Sequence, residues 1–295
     1  MGEPPAWAHP VVWMGRAILP LTRLRARSGP KELAIGLAYA SMITLGAGAF
    51  AYGLESLVED RPLLLWALHA FLLMGCFAWR GLLRAGHAVL TRLEAGDLAG
   101  ARKALSGLCS RKTGDLTEAE IAGAAIESIT ENTSDSIVAP IFFYVLFGLP
   151  GLLFYRAANT LDAMVGYHGR YEYLGKTAAR LDDVLNWLPA RLTAVLFALC
   201  ASPLGLSPMA GVRLCWRDAR RTESPNAGFP MAMASGLLQV RLEKRDTYVL
   251  GAELRDPTLL DLRKGLTLVQ LTGACALLGF GAALWLACGA AWLVR

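Results

Sequence analysis

Apolar and polar positions in this chain alternate in long blocks. Leu33 to Leu54 runs for 22 residues without a formal charge, and Pro62 to Trp79 for another 18. Each block is long enough for one membrane-crossing helix, and Pro62 suits the first turn of the second. Glu55, Glu59, Asp60 and Arg61 form a short polar turn between them. The two blocks predict a helical hairpin whose acidic turn faces away from the cytoplasm, because cytoplasmic loops collect Lys and Arg. Ahead of it, His9 to Arg16 reads as an amphipathic stretch that Pro20 interrupts. The first 32 residues carry five Lys/Arg against two Glu, which predicts an interfacial segment on the cytoplasmic side.

Arg80 to Asp135 is the first polar region. Leu90, Leu93, Leu98, Ala101 and Leu105 recur at helical spacing and predict an amphipathic helix over Arg84–Leu108. Gly114-Asp115 marks a break. Thr117 and Glu120 then fit a capping box, and the helix they start carries Ile121, Ala125, Ile126 and Ile129 as its packing side. Ser136 to Tyr155 is again uncharged, but Gly148-Leu149-Pro150-Gly151 interrupts it. A straight crossing tolerates that break poorly. A re-entrant pair of half-helices requires it, with protein or a water-filled cavity covering the non-helical backbone. A single crossing would also put the polar clusters at 127–135 and 159–183 on opposite sides of the membrane. The segment is therefore predicted to enter and return on the cytoplasmic side. Leu192 to Val212 repeats the pattern around Ser202-Pro203-Leu204-Gly205.

Arg213 to Lys264 holds ten Lys/Arg and seven Asp/Glu and reads as a second cytoplasmic region. It has a tight turn at Ser224–Gly228 and a small-residue helix over Phe229–Leu242. Gly265 to Val294 is 30 uncharged residues, one terminal spanning helix, straight or kinked near Gly279 and Gly281. The pattern as a whole predicts an all-α, polytopic integral membrane protein with re-entrant segments and cytoplasmic helical loops. It reads as one membrane-embedded domain over 1–295. The parts are an interfacial segment at 1–32, a helical hairpin at 33–79, an acidic region with broken apolar segments at 80–215, the Ser-Pro-Asn-Ala-Gly region at 216–264 and a C-terminal membrane helix at 265–295.

Composition agrees. The chain is 55% hydrophobic and 18% charged, with a mean hydropathy of +0.41. The net charge of +5 fits cytoplasmic loops beside anionic lipid, and no basic-aromatic patch accompanies it, which argues against a nucleic-acid partner. None of the six cysteines forms a CxxC pair, so they read as small apolar filler. Met1 to His9 is short and Pro-rich without an apolar h-region, so no secretory leader is expected.

The candidate chemistry sits between Glu127 and Arg191, where seven carboxylates and five Lys/Arg border apolar segments. Glu127, Glu131 and Asp135 are spaced four apart. Like charges at that spacing cost about 0.2–0.5 kcal/mol per pair. A divalent cation or Mg-nucleotide would turn the repulsion into ligation, although spacing alone leaves a solvated acidic face equally open. Asp182, Asp183 and Asn186, with Lys176 and Arg180 before them, suit phosphate and metal or, equally, intrahelical ion pairs. Arg156 and Arg191 end apolar segments, either snorkelling or clamping phosphate. Gly169 to Thr177 looks like a phosphate loop, but it is one residue too long and no strand precedes it. His69 reads as a satisfied polar packing residue and His87 as a surface residue, while His9 and His168 stay candidates. No HExxH or GxSxG pattern occurs.

Several of these motifs, in order, resemble one family. They are Glu127-Ser128…Glu131-Asn132…Asp135…Ala139-Pro140; Tyr155-Arg156-Ala157…Asn159-Thr160-Leu161-Asp162-Ala163-Met164-Val165-Gly166; and Ala178-Ala179-Arg180-Leu181-Asp182-Asp183…Asn186…Pro189-Ala190-Arg191-Leu192-Thr193. With His9-Pro10-Val11…Gly15-Arg16 and Ser224-Pro225-Asn226-Ala227-Gly228, they make the chain similar to adenosylcobinamide-phosphate synthases, the CobD/CbiB family of cobalamin biosynthesis, over nearly its whole length. The resemblance implies a multi-pass inner-membrane enzyme whose active site faces the cytoplasm. It implies ATP- and Mg²⁺-dependent joining of a propionate carboxylate of adenosylcobyric acid to the amine of an aminopropanol phosphate. It gives catalytic roles to Glu127, Glu131, Asp135, Asp162, Asp182 and Asp183, with Glu127, Glu131, Asp182 and Asp183 as metal ligands. Asn132, Asn159, Arg156, Lys176, Arg180, Asn186, Arg191 and Asn226 would bind substrate or phosphate. The corrinoid, the aminopropanol phosphate and the lipid bilayer are the implied partners, beside other membrane enzymes of late cobalamin assembly. A non-catalytic membrane paralogue, acting as sensor or accessory protein, is the competing reading, and a transporter a third. The chain departs from the family pattern in three places. Members usually carry an apolar segment ending in Gly-Asp-Pro where this chain has Met1-Gly2-Glu3-Pro4. The usual Ser-Met is Ala163-Met164, and the usual Leu-Gly-Gly is Leu242-Glu243-Lys244.

Overall fold

The computed structural model describes residues 5–23, 29–166 and 171–293, with side chains to residue 282. His168 and the Gly169-Arg170 start of the loop-like stretch lie outside the described residues. In chain order the helices are α1 (Pro10–Ile18), α2 (Gly29–Val58), α3 (Pro62–Cys76), α4 (Trp79–Glu94), α5 (Leu98–Ser106), α6 (Glu118–Thr133), α7 (Ala139–Val165), α8 (Lys176–Leu185), α9 (Trp187–Ala201), α10 (Pro208–Asp218), α11 (Gly228–Leu238) and α12 (Leu259–Leu293). The only described sheet is a two-stranded hairpin of β1 (Leu242–Lys244) and β2 (Tyr248–Leu250), with Leu242 opposite Leu250. Five helical stretches among the described residues are long and apolar enough to cross a membrane: Gly29–Val58, Pro62–Glu94, Glu118–Val165, Trp187–Leu204 and Leu259–Ala282. The protein is all-α, with the segments of a multi-pass membrane protein.

The helices group into two compact units. The first holds residues 1–78 and 139–186. In it α2 and α3 form the expected hairpin, with Pro62 in the first turn of α3. Both pack against α7, as does α1. His69 of α3 is satisfied as a packing residue, its Nδ1 2.7 Å from the Tyr144 hydroxyl and its Nε2 3.0 Å from Glu55 Oε1.

The break at Gly148 shapes α7. Gly148 takes φ 64° and ψ −153°, a backbone region that is essentially Gly-only. The outgoing arm, 139–147, and the return arm, 149–165, fold back on each other. Phe143 and Tyr155, twelve residues apart in the sequence, stack with ring centroids at 4.9 Å and an interplanar angle of 10°. An uninterrupted helix would hold them about 18 Å apart along its axis. The arms come so close at Gly151 that a Cβ there would lie 2.6 Å from the Phe143 carbonyl oxygen.

The second unit holds residues 79–138 and 187–295. α6 is its centre, packed by α4, α11, α12 and β1. Every residue from Ile121 to Thr130 is buried, as expected of a helix enclosed on all sides. Its N-terminus has the predicted capping box between Thr117 and Glu120. The apolar stretch after α9 breaks as expected, through a tight turn at Ser202–Leu204 and Gly205 at φ 67°.

Two expectations change. The amphipathic stretch over 84–108 is two helices, because Gly96 turns left-handed at φ 70° and the Asp97 side chain caps α5 by accepting from the Gly100 N–H at 2.8 Å. The small-residue helix ends at Leu238 rather than Leu242, where Gln239 adopts φ 55° and the chain turns into the β-hairpin. Of the two forms expected for the C-terminal helix, α12 takes the continuous one, through Gly279 and Gly281.

Candidate functional site

In the first unit the return arm of α7 and the facing side of α8 bring six of the singled-out residues together. α7 supplies Arg156, Asn159 and Asp162 at steps of three, and α8 supplies Asp182 and Asp183 with Asn186 as its C-cap. Arg156 Nη1 donates to Asn159 Oδ1 at 3.0 Å, and Asn159 Nδ2 donates to Asp182 Oδ1 at 3.3 Å. From the other side Asn186 Nδ2 donates to Asp182 Oδ2 at 2.9 Å, while the buried Tyr155 hydroxyl donates to Asn186 Oδ1 at 2.9 Å. Asp162 stands close enough to Asp182 and Asp183 for their charges to repel. A Cβ at position 166 would lie 1.9 Å from Asp162 Oδ1, so Gly166 leaves the room this carboxylate occupies.

Burial lifts the Asp182 carboxyl above its ordinary value. The two amide donors oppose the lift, and Asp183 adds to it. Arg180 reaches Asp183 only at 4.0 Å and is itself mostly exposed, a contact of little worth in water. Lys176 is exposed in the first turn of α8 and makes no ion pair among the described residues. Among the described residues no group of three or more His, Cys, Asp or Glu side chains stands in metal-holding geometry. Yet the three aspartates supply carboxylate oxygens with mutual repulsion to relieve, while the carboxamides turn their N–H groups toward Asp182. That fits a hard cation carrying phosphate, since Mg²⁺ takes one or two carboxylates and completes its shell from phosphate and water.

The second unit holds the other singled-out residues. Glu127 is 1% exposed. Arg111 Nη2 donates to its Oε2, and Arg111 Nη1 donates to the Glu243 carbonyl at 3.2 Å. Glu127 Oε1 is buried without a hydrogen-bond partner. Burial works against the Arg111 charge, but the Glu127 carboxylate holds it above its ordinary range. Tyr248 is also raised, by burial first and then by the nearby carboxylates of Glu127 and Glu131. Asn132 donates back to the Ser128 carbonyl of its own helix at 2.9 Å.

Asp135 does not continue the α6 face. It lies in a π-helical turn, Ser134–Val138, whose wider winding breaks the four-residue spacing that relates Glu127 to Glu131. Arg191 lies over the rings of Trp187 and Phe229, at 4.4 and 4.0 Å, and donates to Asn226 Oδ1 at 3.1 Å. The Ser224 hydroxyl accepts from the Asn226 N–H at 3.2 Å and fixes the turn. His87 is exposed, and His9 Nδ1 is buried without a partner. The sequence pattern alone assigns no role to Tyr155, Arg111 or Tyr248. Tyr155 stands inside the Tyr155-Arg156-Ala157 motif, whereas Arg111 and Tyr248 reach Glu127 from 16 and 121 residues away, with no local signal.

The family model described as "CobD/Cbib protein" matches residues 1–278. The chain is 42% identical to "Cobalamin biosynthesis protein CobD" of Dehalococcoides mccartyi, over 86% of this chain and 83% of that protein. It is 43% identical to "Probable cobalamin biosynthesis protein CobD" of Methanothermobacter thermautotrophicus, over 94% and 92%. It is 36% identical to "Cobalamin biosynthesis protein CbiB" of Salmonella typhimurium, over 94% and 91%. No solved structure matches it.

Proposed function

The chain belongs to the CobD/CbiB family, and from that premise we propose that it is the amide-forming ligase of cobalamin biosynthesis. It joins a propionate carboxylate of adenosylcobyric acid to the amine of an aminopropanol phosphate, using ATP and Mg²⁺, and releases adenosylcobinamide phosphate. The observation that carries this reading is the α7–α8 cluster. Asp182 is gripped by two carboxamides beside Asp162 and Asp183, a donor set suited to Mg²⁺ on a nucleotide.

An amide does not form from a free carboxylate in water without activation. A propionate oxygen attacks the γ-phosphorus, ADP leaves, and an acyl phosphate results. The amine then attacks the acyl carbon and inorganic phosphate departs. Bound Mg²⁺ would neutralise charge on the phosphates during the first transfer. Asp162, Asp182 and Asp183 would hold and orient it, and Asn159 and Asn186 fix Asp182. Arg156, Lys176 and Arg180 are the cations of this unit that meet phosphate. In the second unit Arg191, stacked between two rings and tied to Asn226, presents a fixed guanidinium to a phosphate. Glu127, Glu131 and Asp135 are the carboxylates available there for the proton of the attacking amine or for metal. The site faces the cytoplasm of an inner-membrane protein.

The test is an assay in membranes with adenosylcobyric acid, aminopropanol phosphate, ATP and Mg²⁺. Amide product is expected, and Asp182→Ala or Glu131→Ala should abolish it without loss of expression. A folded wild-type protein that forms no amide would overturn the proposal and favour a sensor or accessory role.

A further inference from the structure

We propose that Tyr155 is a positioning residue that holds Asp182 in place through Asn186, and that the hairpin of α7 exists in part to put it there. The proposal rests on the reading of the α7–α8 cluster as a magnesium-nucleotide site.

The Tyr155 ring does what a phenylalanine would do. It is fully buried and stacks on Phe143 of the opposite arm at 4.9 Å. The hydroxyl does something else. It donates to Asn186 Oδ1 at 2.9 Å, in a place without solvent to serve as an alternative. An Asn amide can turn over, exchanging its acceptor and donor ends. With Oδ1 taken by Tyr155, Nδ2 must face Asp182, and it donates to Oδ2 at 2.9 Å. The other carboxylate oxygen is served in the same manner. Arg156 Nη1 occupies Asn159 Oδ1 at 3.0 Å, and Asn159 Nδ2 is left for Asp182 Oδ1 at 3.3 Å. Each amide that grips Asp182 is thus oriented by a second donor, and the two outer donors are consecutive residues of one helix. One hydrogen bond per carboxylate oxygen leaves each oxygen a lone pair for a ligand. Tyr155 reaches this place because the chain reverses at Gly148, so the outgoing arm backs the ring while the hydroxyl faces α8.

Outer-shell groups of this kind are worth about 10–100-fold in metal affinity or activity. Tyr155→Phe keeps the ring and its stack, and removes only the hydroxyl. The full-length wild type, Tyr155→Phe and Asp182→Asn are compared in two readouts. The first is the Mg²⁺ dependence of ATP-dependent amide formation in membranes. The second is the rise in thermal midpoint of the detergent-purified protein with Mg²⁺ at fixed ADP, which needs no turnover. Tyr155→Phe is expected to need about ten-fold more Mg²⁺ in both, to approach the wild-type rate when Mg²⁺ saturates, and to keep its metal-free midpoint within a few degrees. Asp182→Asn is expected to show no Mg²⁺-dependent rise. An unchanged Mg²⁺ requirement in Tyr155→Phe, a lower maximal rate without a changed requirement, or a wild type without any Mg²⁺-dependent rise would each overturn the proposal. The two readings fail separately. A wild type that makes no amide but whose Mg²⁺ response weakens in Tyr155→Phe sinks the ligase and leaves the positioning role. A wild type that makes amide with Tyr155→Phe indistinguishable from it does the reverse.

Discussion

Asp182 is held between opposing influences: burial lifts its carboxyl above the ordinary value, the amides of Asn186 and Asn159 pull it down, and Asp183 pushes it up again, with a net rise. A folded-state value above the unfolded one, about 3.9 for aspartate, means that the folded protein binds more proton. Without divalent cation, stability should therefore fall as pH climbs from the ordinary aspartate range through the raised Asp182 value. Thermal midpoints measured across that window in chelator should show the fall in the wild type and a flatter profile in Asp182→Asn. Mg²⁺ needs the ionised form, so its affinity should rise over the same window in the wild type alone. Glu127 presents a different case. A buried ion pair broken from one side leaves an uncompensated charge at a cost of about 3–5 kcal/mol. Arg111→Ala should lower the thermal midpoint sharply, while Arg111→Met with Glu127→Leu should recover most of the loss and still abolish any chemistry that needs Glu127. A double variant no more stable than the single one would show that the pair is not what holds this region. The sequence showed Glu127 and Asp182 as candidates because their types and spacings are local. It did not show that Glu127 carries a guanidinium partner, since Arg111 meets it only after the chain has folded.

Breaks in helices were legible in proportion to how many residues announced them. Gly148-Leu149-Pro150-Gly151 gives three breakers in four positions, and the reversal of α7 falls on its first glycine. Gly96 stands alone in a periodic pattern, which a helix often tolerates, and the division of α4 from α5 was hidden until Asp97 was seen to cap α5. β1 and β2 span three residues each, too few to display a period of two. Glycine substitutions separate these cases. Gly148→Ala forces a side chain into a Gly-only backbone region, at about 1–3 kcal/mol. Gly151→Ala would press a Cβ to 2.5 Å from Phe147 Cβ and 2.6 Å from the Phe143 carbonyl oxygen, so the arms cannot close unchanged. Both variants should lower the thermal midpoint and the monodisperse yield in detergent. Gly279→Ala, with open space around it in the unbroken α12, should leave both unchanged or raise the midpoint, because alanine favours helix by about 0.5–1 kcal/mol. Equal behaviour of Gly148→Ala and Gly279→Ala would contradict the fold-back.

The proposed cytoplasmic site makes the reversal of α7 a statement about membrane topology. By length and composition alone, residues 118–165 would count as a crossing. A segment that reverses at Gly148 within the membrane would contribute no net crossing. The proposed topology places the basic segment ahead of α2 on the cytoplasmic side, by the bias of Lys and Arg. On that reading α2 and α3 would carry it out at the Glu59–Arg61 turn and back in, and α4 would begin on the cytoplasmic side. An α7 that returns to the side it left would keep α8, with Lys176 and Asp182, on that side as well, the side the proposed use of ATP requires. A straight α7 would put α8 outside, where neither nucleotide nor a free Mg-nucleotide complex is supplied. The difference can be read directly. In a variant whose six native cysteines are replaced, single cysteines at Asp60, Asp115 and Lys176 are exposed to a membrane-impermeant maleimide on intact cells. Asp60→Cys should be labelled from outside, while Asp115→Cys and Lys176→Cys should react only after the membrane is opened. Labelling of Lys176→Cys from outside with Asp115→Cys protected is the pattern of a straight crossing, and it would remove the cytoplasmic nucleotide site from α8.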